Sequence, residues 1–218
     1  PWLHQIRIKC DGGHMMVEAA DGARSARYDA GEWAHGGAPI VLSLEGARVL
    51  ADLAEDQDTV NVAIGARATY LAEDTEAYSA QFDPTNSPFP PVGGIFAIEP
   101  TVCASLIRAD AISWVKACLL SGGEFKRIIV AGESNLLVVR AEDQQAGSES
   151  RAETHVKFEW SGTAAVDGQL LLAGLQTFES EAVNFGLSEQ TFEGRKQAAL
   201  FILTAQNTKT KVAITGQQ

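Results

Sequence analysis

Ser43-Leu44-Glu45-Gly46-Ala47-Arg48-Val49-Leu50-Ala51-Asp52-Leu53 and Ala165-Val166-Asp167-Gly168-Gln169-Leu170-Leu171-Leu172-Ala173-Gly174-Leu175 read as two versions of one segment, set 122 residues apart from Gly46 to Gly168. In the first, Leu44, Val49, Leu50 and Leu53 recur at helical spacing and predict one apolar face on a helix over residues 44–56. The second predicts a helix over 168–177. Each is followed by a similar strand-like run, Thr59-Val60-Asn61-Val62 and Ala182-Val183-Asn184-Phe185. A repeat this long is a duplicated domain, because solenoid units recur at 20–50 residues.

Outward from these helices, strand patterns dominate. Residues 3–9 alternate, Asp11-Gly12-Gly13 supplies a tight turn, and 14–20 return as a second strand ended by Asp21-Gly22. A polar loop leads to a strand at 38–43. Strands at 59–64, 69–73 and 78–82 follow the first helix. The second copy opens with a strand at 101–107 and a helix at 109–120, closed by Ser121-Gly122-Gly123. Its later strands are expected at 125–131, 135–141, 152–160, 182–187, 198–204 and 211–215. The first copy lacks the strand and helix that open the second, which suggests a domain cut at its start. Pro1 in place of an initiator Met points the same way. Between the copies runs Asp83-Pro84-Thr85-Asn86-Ser87-Pro88-Phe89-Pro90-Pro91-Val92-Gly93-Gly94, whose prolines fit neither a central strand nor a helix interior. The expected division is a partial domain at 1–86, a linker at 87–95 and a second domain at 96–218.

Composition narrows the function. Hydrophobic residues at 45% and charged residues at 21% describe a folded globular chain. No apolar run reaches the roughly 20 residues of a membrane span. Cys10, Cys103 and Cys118 are scattered without metal-ligand or redox spacing, so reduced, inert, buried thiols in a cytosolic protein are expected. His4, His14, His35 and His155 stand far apart, and no nucleophile elbow, phosphate loop or dinucleotide fingerprint occurs. The expectation is a non-enzyme without cofactor or metal. A net charge of −11 argues against a surface that binds nucleic acid everywhere, though not against a ring that is acidic only outside.

Three stretches in order carry a family resemblance. Ala19-Ala20-Asp21-Gly22-Ala23-Arg24-Ser25-Ala26 resembles the A-T-D-G-H-R-L-A segment of the beta subunit of bacterial DNA polymerase III. Ser87-Pro88-Phe89-Pro90-Pro91-Val92 corresponds to that family's G-R-F-P-D-Y linker. Trp114-Val115-Lys116-Ala117-Cys118-Leu119-Leu120-Ser121-Gly122-Gly123-Glu124-Phe125-Lys126 resembles its L-x-R-V-A-L-L-S-x-x-x-F-R. Together they cover nearly the whole chain.

The resemblance implies an α+β DNA clamp fold: tandem domains of antiparallel sheets with helices on the inner side, the first domain lacking its opening strand and helix. Six such domains close around duplex DNA, which is held without reading bases. It implies a cytoplasmic, nucleoid-associated processivity factor. Its partners would be duplex DNA and the linear motifs of DNA polymerase and clamp loader, with no membrane. A homo-oligomeric ring would form if a further domain precedes. Carried over by position, the partner groove would use Leu3, Ala20, Gly22, Ala23, Arg24, Ser25, Pro90 and Ile95, with Val212, Ala213, Ile214 and Thr215. The DNA-facing cations would be Arg48, Arg108, Lys116, Lys126 and Arg127.

The departures bear on both sites. Ala23 and Ser25 replace the family's His and Leu, and Ala213-Ile214-Thr215-Gly216-Gln217-Gln218 replaces its V-M-P-M-R-L ending. Arg48 is the sole basic residue of the first helix, and the helix at 168–177 carries no charge. Two other readings stay open: a two-domain clamp that closes as a trimer, and a β-rich interaction module that kept the fold without encircling DNA.

Overall fold

The structure is a computed structural model that describes residues 5–33, 39–55, 61–64, 68–72, 77–81, 89–121, 126–143, 147–160, 162–189, 191–192, 195–196, 200–205 and 209–216. Contacts divide the chain into two units, Pro1–Val92 and Gly93–Gln218, with the division inside the Pro/Gly-rich stretch.

In the first unit, β1 (Gln5–Asp11) and β2 (His14–Ala20) form a hairpin that continues into β3 (Arg24–Glu32), while β4 (Ile40–Ser43) pairs with the other edge of β1. The sheet order is β4-β1-β2-β3, antiparallel throughout. Helix α1 (Leu44–Glu55) starts directly after β4, its first turn capped by Ser43 Oγ, which accepts from the Gly46 N–H at 3.0 Å. A three-stranded meander follows: β5 (Asn61–Ile64), β6 (Ala68–Ala72) and β7 (Ala77–Gln81).

In the second unit, a single helical turn, α2 (Gly93–Phe96), precedes β8 (Val102–Ile107) and α3 (Arg108–Ser121). Then β9 (Arg127–Glu133), β10 (Leu136–Asp143), β11 (Ser148–Lys157) and β12 (Thr163–Asp167) form a sheet of order β11-β10-β9-β12. Helix α4 (Gly168–Gln176) follows β12 at once, capped by Asp167, whose Oδ1 accepts from the N–H groups of Gln169 and Leu170. β13 (Ala182–Ser188) lies between β8 and β16 (Leu200–Ala205), and β16 pairs with β17 (Thr210–Thr215). A small hairpin, β14 (Thr191–Phe192) and β15 (Arg195–Lys196), interrupts the connection from β13 to β16.

The two units share a plan. β1-β2-β3-β4-α1 has the order and pairing of β9-β10-β11-β12-α4, and no counterpart of β8 and α3 occurs among the described residues of the first unit. Both leading hairpins turn on two left-handed residues, Gly12 and Gly13 in one, Ser134 and Asn135 in the other. The register is more exacting than the sequence match. Asp11 and Glu133, each closing its first strand, stand 122 residues apart, but the caps Ser43 and Asp167 stand 124 apart. The second unit therefore has two extra residues between its β10 and β12, and the true partner of Gly168 is Leu44 rather than Gly46.

Other expectations are corrected. Residues 24–32 form a strand, not a loop: Ser25, Arg27 and Asp29 face one way along it, and pairing with β2 outweighs a composition poor in β-branched residues. Strand β12, the turn α2 and the hairpin β14–β15 were also absent from the sequence reading. β11 begins at Ser148 and ends before Trp160. On α1, Leu44 and Val49 do not join a buried face; they are 40% and 37% exposed. Of the thiols, Cys118 alone is buried, Cys10 is half-buried and Cys103 is exposed. Burial pushes the Cys118 thiol up, which suits an unreactive group. Among the described residues no helix is long and apolar enough to cross a membrane, and no group of three metal-ligating side chains occurs.

The second unit's core is organised by aromatic rings and close backbone approaches. Phe158 stands edge-on to Trp160 at 5.9 Å and leads through Phe185 to Phe201, joining the end of β11 to the β13–β16 pair. The segment that carries Phe158 and Trp160 crosses β9 at Gly132. A Cβ there would lie 1.7 Å from the Trp160 carbonyl oxygen, and backbone cannot rotate aside as a side chain can. In the first unit the Trp33 carbonyl lies 4.0 Å from Cys10 Sγ, at the position equivalent to Gly132. We expect Gly132→Ala to destabilise the second unit by at least about 2–4 kcal/mol, as misfit mutations at tight core sites do. Urea denaturation followed by Trp fluorescence measures this, and an unshifted midpoint would contradict the crossing.

Candidate functional site

The sequence-assigned groove residues fall into two clusters, one in each unit. In the first, Asp21-Gly22-Ala23-Arg24 is a tight turn closing the β2–β3 hairpin. Asp21 accepts from the backbone N–H groups of Ala23 (3.2 Å) and Arg24 (3.0 Å) through Oδ1, while its Oδ2 takes the Arg24 Nε–H at 2.5 Å. Its own N–H donates to the Arg24 carbonyl. Gly22 has φ of +87°, a conformation that carries a steric cost for any residue with a Cβ. Ala20 and Ser25, paired across the hairpin, are buried, whereas Gly22, Ala23 and Arg24 are exposed. Pro90 is half-buried and its carbonyl accepts from the Val92 N–H. Leu3 lies outside the described residues.

The same three-stranded sheet carries a charge ladder. Glu18, in the middle strand, is fully buried, with Arg7 opposite it on β1 and Arg27 opposite it on β3. Arg7 donates from Nε (2.9 Å) and Nη2 (2.5 Å) to Glu18 Oε2. Arg27 donates from Nε (2.9 Å) and Nη2 (2.6 Å) to Oε1, and Lys9 lies 3.6 Å away. Both carboxylate oxygens therefore receive paired, charge-assisted bonds. The Arg7 guanidinium in turn packs on the Phe89 ring at 4.3 Å, fixing the residue next to Pro90. None of these ladder residues was singled out from the sequence; the signal was charged residues at the same-face positions 7, 18 and 27 of what proved to be adjacent strands.

The second unit's cluster lies on β17. Val212 and Ile214 are buried and turn toward α4, where Gly174 admits them: a Cβ on Gly174 would lie 3.1 Å from Ile214 Cδ1 and 3.5 Å from Val212 Cγ1. Ala213 turns the other way and joins Leu200 and Ile202 in an apolar shelf, against which the half-buried Ile95 and Ile98 pack. Lys211 Nζ donates to the Phe96 and Ile98 carbonyls at 2.9 and 3.1 Å, tying α2 and its following turn to β17. Thr215 is exposed. The shelf's other members, Ile98, Leu200 and Ile202, were not named as site residues from sequence.

Of the five expected DNA-facing cations, Arg48, Lys116 and Arg127 are exposed. Arg108 instead donates to the Ser180 carbonyl at 3.0 Å, and Lys126 Nζ to the Leu119 carbonyl at 3.4 Å, where it meets the C-terminal end of α3. The helices are not a basic layer. α1 carries one basic and three acidic residues, α3 two and one, and α4 none.

The architecture is that of a sliding clamp. No family model and no curated protein matches the sequence. Solved structures do. The DNA polymerase III subunit beta sliding clamp of Pseudomonas aeruginosa, bound to griselimycin, superposes with a TM-score of 0.84 over 100% of this chain at 16% identity. The DNA polymerase III beta subunit of Thermotoga maritima gives 0.83 over 99% at 13% identity, and that of Borrelia burgdorferi, in complex with a natural product, 0.82 over 99% at 10%. The chain spans 58%, 57% and 56% of those three proteins. At such identities the likeness establishes the fold.

Burial alone would push the Glu18 carboxyl up; the bonds from Arg7 and Arg27 outweigh it and hold the group below its ordinary 4.5. A carboxyl lower in the folded than in the unfolded state stabilises above the unfolded value, and that stability disappears as pH falls through the folded one. The first unit should therefore lose stability on acidification below about pH 4.5, with the loss blunted in Glu18→Gln. Thermal melts from pH 6 to pH 3 measure this; parallel profiles for both proteins would contradict the ladder's role.

Proposed function

We propose that this chain acts as part of a sliding clamp: a non-catalytic accessory of DNA replication that helps surround duplex DNA and holds replication proteins through short linear motifs. The observation that carries the reading is the whole-chain superposition on bacterial clamps, reached by two units with one repeated order of strands and helices. In this reading the protein works in the cytoplasm, on the nucleoid, beside DNA polymerase and the clamp loader. No cofactor is required.

Two candidate contact surfaces for the motif are carried over from the resemblance, the Asp21 turn with Pro90 in the first unit and Ala213 with Ile95 in the second. Small side chains at Ala20, Gly22, Ala23 and Ser25 leave room for a Leu or Phe anchor, and Arg24 faces an acidic or carboxylate group. On β17, Thr215 would add to the second surface, while Val212 and Ile214, turned toward α4, would support it from beneath; Leu3, carried over with them, lies outside the described residues. We expect a hexapeptide with Leu and Phe anchors to bind with a micromolar Kd or weaker, about −8 kcal/mol at most. Arg24→Glu should weaken binding at least tenfold without shifting the melting temperature by more than a degree or two. Isothermal titration calorimetry measures both proteins; no heat at millimolar peptide, or equal affinity for the variant, refutes the groove.

Arg48, Lys116 and Arg127 are the cations offered to phosphates, joined more weakly by Arg108 and Lys126, whose bonds to carbonyls leave other donors available. A second reading, a clamp-fold interaction module that does not encircle DNA, is favoured by the near-neutral charge of the helical layer. Retention on circular, but not linearised, plasmid DNA distinguishes the two. Mass measurement in solution tests for a trimeric ring of two-domain subunits.

A further inference from the structure

The Arg7–Glu18–Arg27 ladder is not part of the plan that the two units share. At the three positions paired as these are paired, the second unit has Ile129, Arg140 and Arg151. It reaches the same register with no buried acid in the middle strand: Arg140 is half-buried, and its ion pair with Glu133 spans 3.8 Å. A fully buried carboxylate carries a desolvation cost, so the shared sheet does not by itself call for Glu18. In the first unit the buried acid comes with one further contact. Nε and Nη2 of Arg7 both donate to Glu18 Oε2, which fixes the guanidinium plane by its edge and leaves its face free to stack. The guanidinium carbon sits over the Phe89 ring, 4.3 Å from its centre. Phe89 is half-buried and Pro90 follows it. Val92, two residues on, is buried, and its N–H donates to the Pro90 carbonyl at 2.8 Å.

We propose that Arg7 and Glu18 are positioning residues for the segment 89–92. Glu18 orients Arg7, and Arg7 seats Phe89, so that Pro90 is presented to a partner's motif while neither ladder residue touches that motif. The inference rests on the proposed function for the role of Pro90, whereas the seating of Phe89 follows from the first unit alone. The segment needs such a device because its backbone offers little else to hold it. Pro90 and Pro91 have no N–H, so a sheet ladder cannot fix them. An aromatic ring on a guanidinium contributes a factor of about two to thirty to an equilibrium constant, enough to favour one arrangement of so short a stretch. The ladder also relates the two parts of the first contact surface. Glu18 stands on β2, two residues before Ala20 and three before Asp21, so the strand that leads into the turn also carries the acid that orients Arg7.

The test replaces the whole ladder with apolar side chains, Arg7→Leu, Glu18→Leu and Arg27→Leu together, because exchanging a complete buried ion group for hydrophobic residues is often neutral for folding. Hydrogen exchange at the Val92 amide, read by NMR, reports on the segment, since Val92 carries the first amide after Phe89. The triple variant should melt within a few degrees of the unsubstituted chain. Its Val92 amide should exchange at least about threefold faster, and it should bind the hexapeptide with Leu and Phe anchors at least about threefold more weakly. Phe89→Ala should do the same with the ladder intact. Added to the triple variant it should weaken binding no further, since residues that act through one another are not additive. Arg7→Lys keeps a cation beside Glu18 but loses the planar two-bond grip, and it should also speed exchange at Val92; it serves where the triple variant does not fold. Unchanged Val92 exchange in the folded triple variant, or in Arg7→Lys where that one alone folds, would overturn the proposal. So would an unchanged peptide Kd alongside faster exchange, or full additivity with Phe89→Ala. An unsubstituted chain that binds no peptide refutes the groove instead, and the Val92 amide then decides the positioning by itself.

Discussion

Two-residue hairpins in which both turn residues are left-handed set the register of each unit, and the rest of the structure depends on that register. Gly12-Gly13 and Ser134-Asn135 permit no slippage, because moving either strand by one residue would exchange its two faces. With the register fixed, Ile6 and Ile8, like Ile128 and Val130, lie on the face opposite the one that carries charge. Glu18 is thereby placed between Arg7 and Arg27, where it can be fully buried only because both its oxygens are bonded. Removing either arginine would leave a buried carboxylate short of partners, so the pairing acts less as a source of net stability than as a condition of this register.

The same register explains how far the sequence could be read. Strands with alternating apolar residues and a glycine turn, such as residues 5–20, are visible because local pattern and tertiary placement agree. Residues 24–32 are not visible. Their face toward Glu18 is Ser25, Arg27 and Asp29, and the rest of the strand offers only Ala26, Tyr28 and Ala30 as apolar side chains, so the alternation looks polar until the partner strand is known. The repeat was legible in kind and misread in detail. Glycines at 46 and 168 drew the alignment to 122 residues, whereas the helix caps, which answer to hydrogen bonding rather than residue likeness, align at 124.

The candidate site divides along similar lines. The Asp21-Gly22 turn was legible because its geometry is local: one carboxylate serves two N–H groups and a guanidinium within four residues. The β17 residues were legible only as a strand. Which of them face outward depends on Gly174, 38 residues earlier, whose missing side chain draws Val212 and Ile214 inward and leaves Ala213 to the shelf. Similarly, no spacing rule could reveal that Arg108 and Lys126 would be held by carbonyls at the two ends of α3.

That last arrangement bears on what the helical layer can do. A layer that attracts DNA needs cations free to exchange protein neighbours for phosphates, since the affinity comes from displaced counterions. Here two of five expected cations brace helix ends, α4 is uncharged and α1 is acidic on balance. Under the proposed function, a hold on a duplex would therefore come from surrounding it rather than from adhesion.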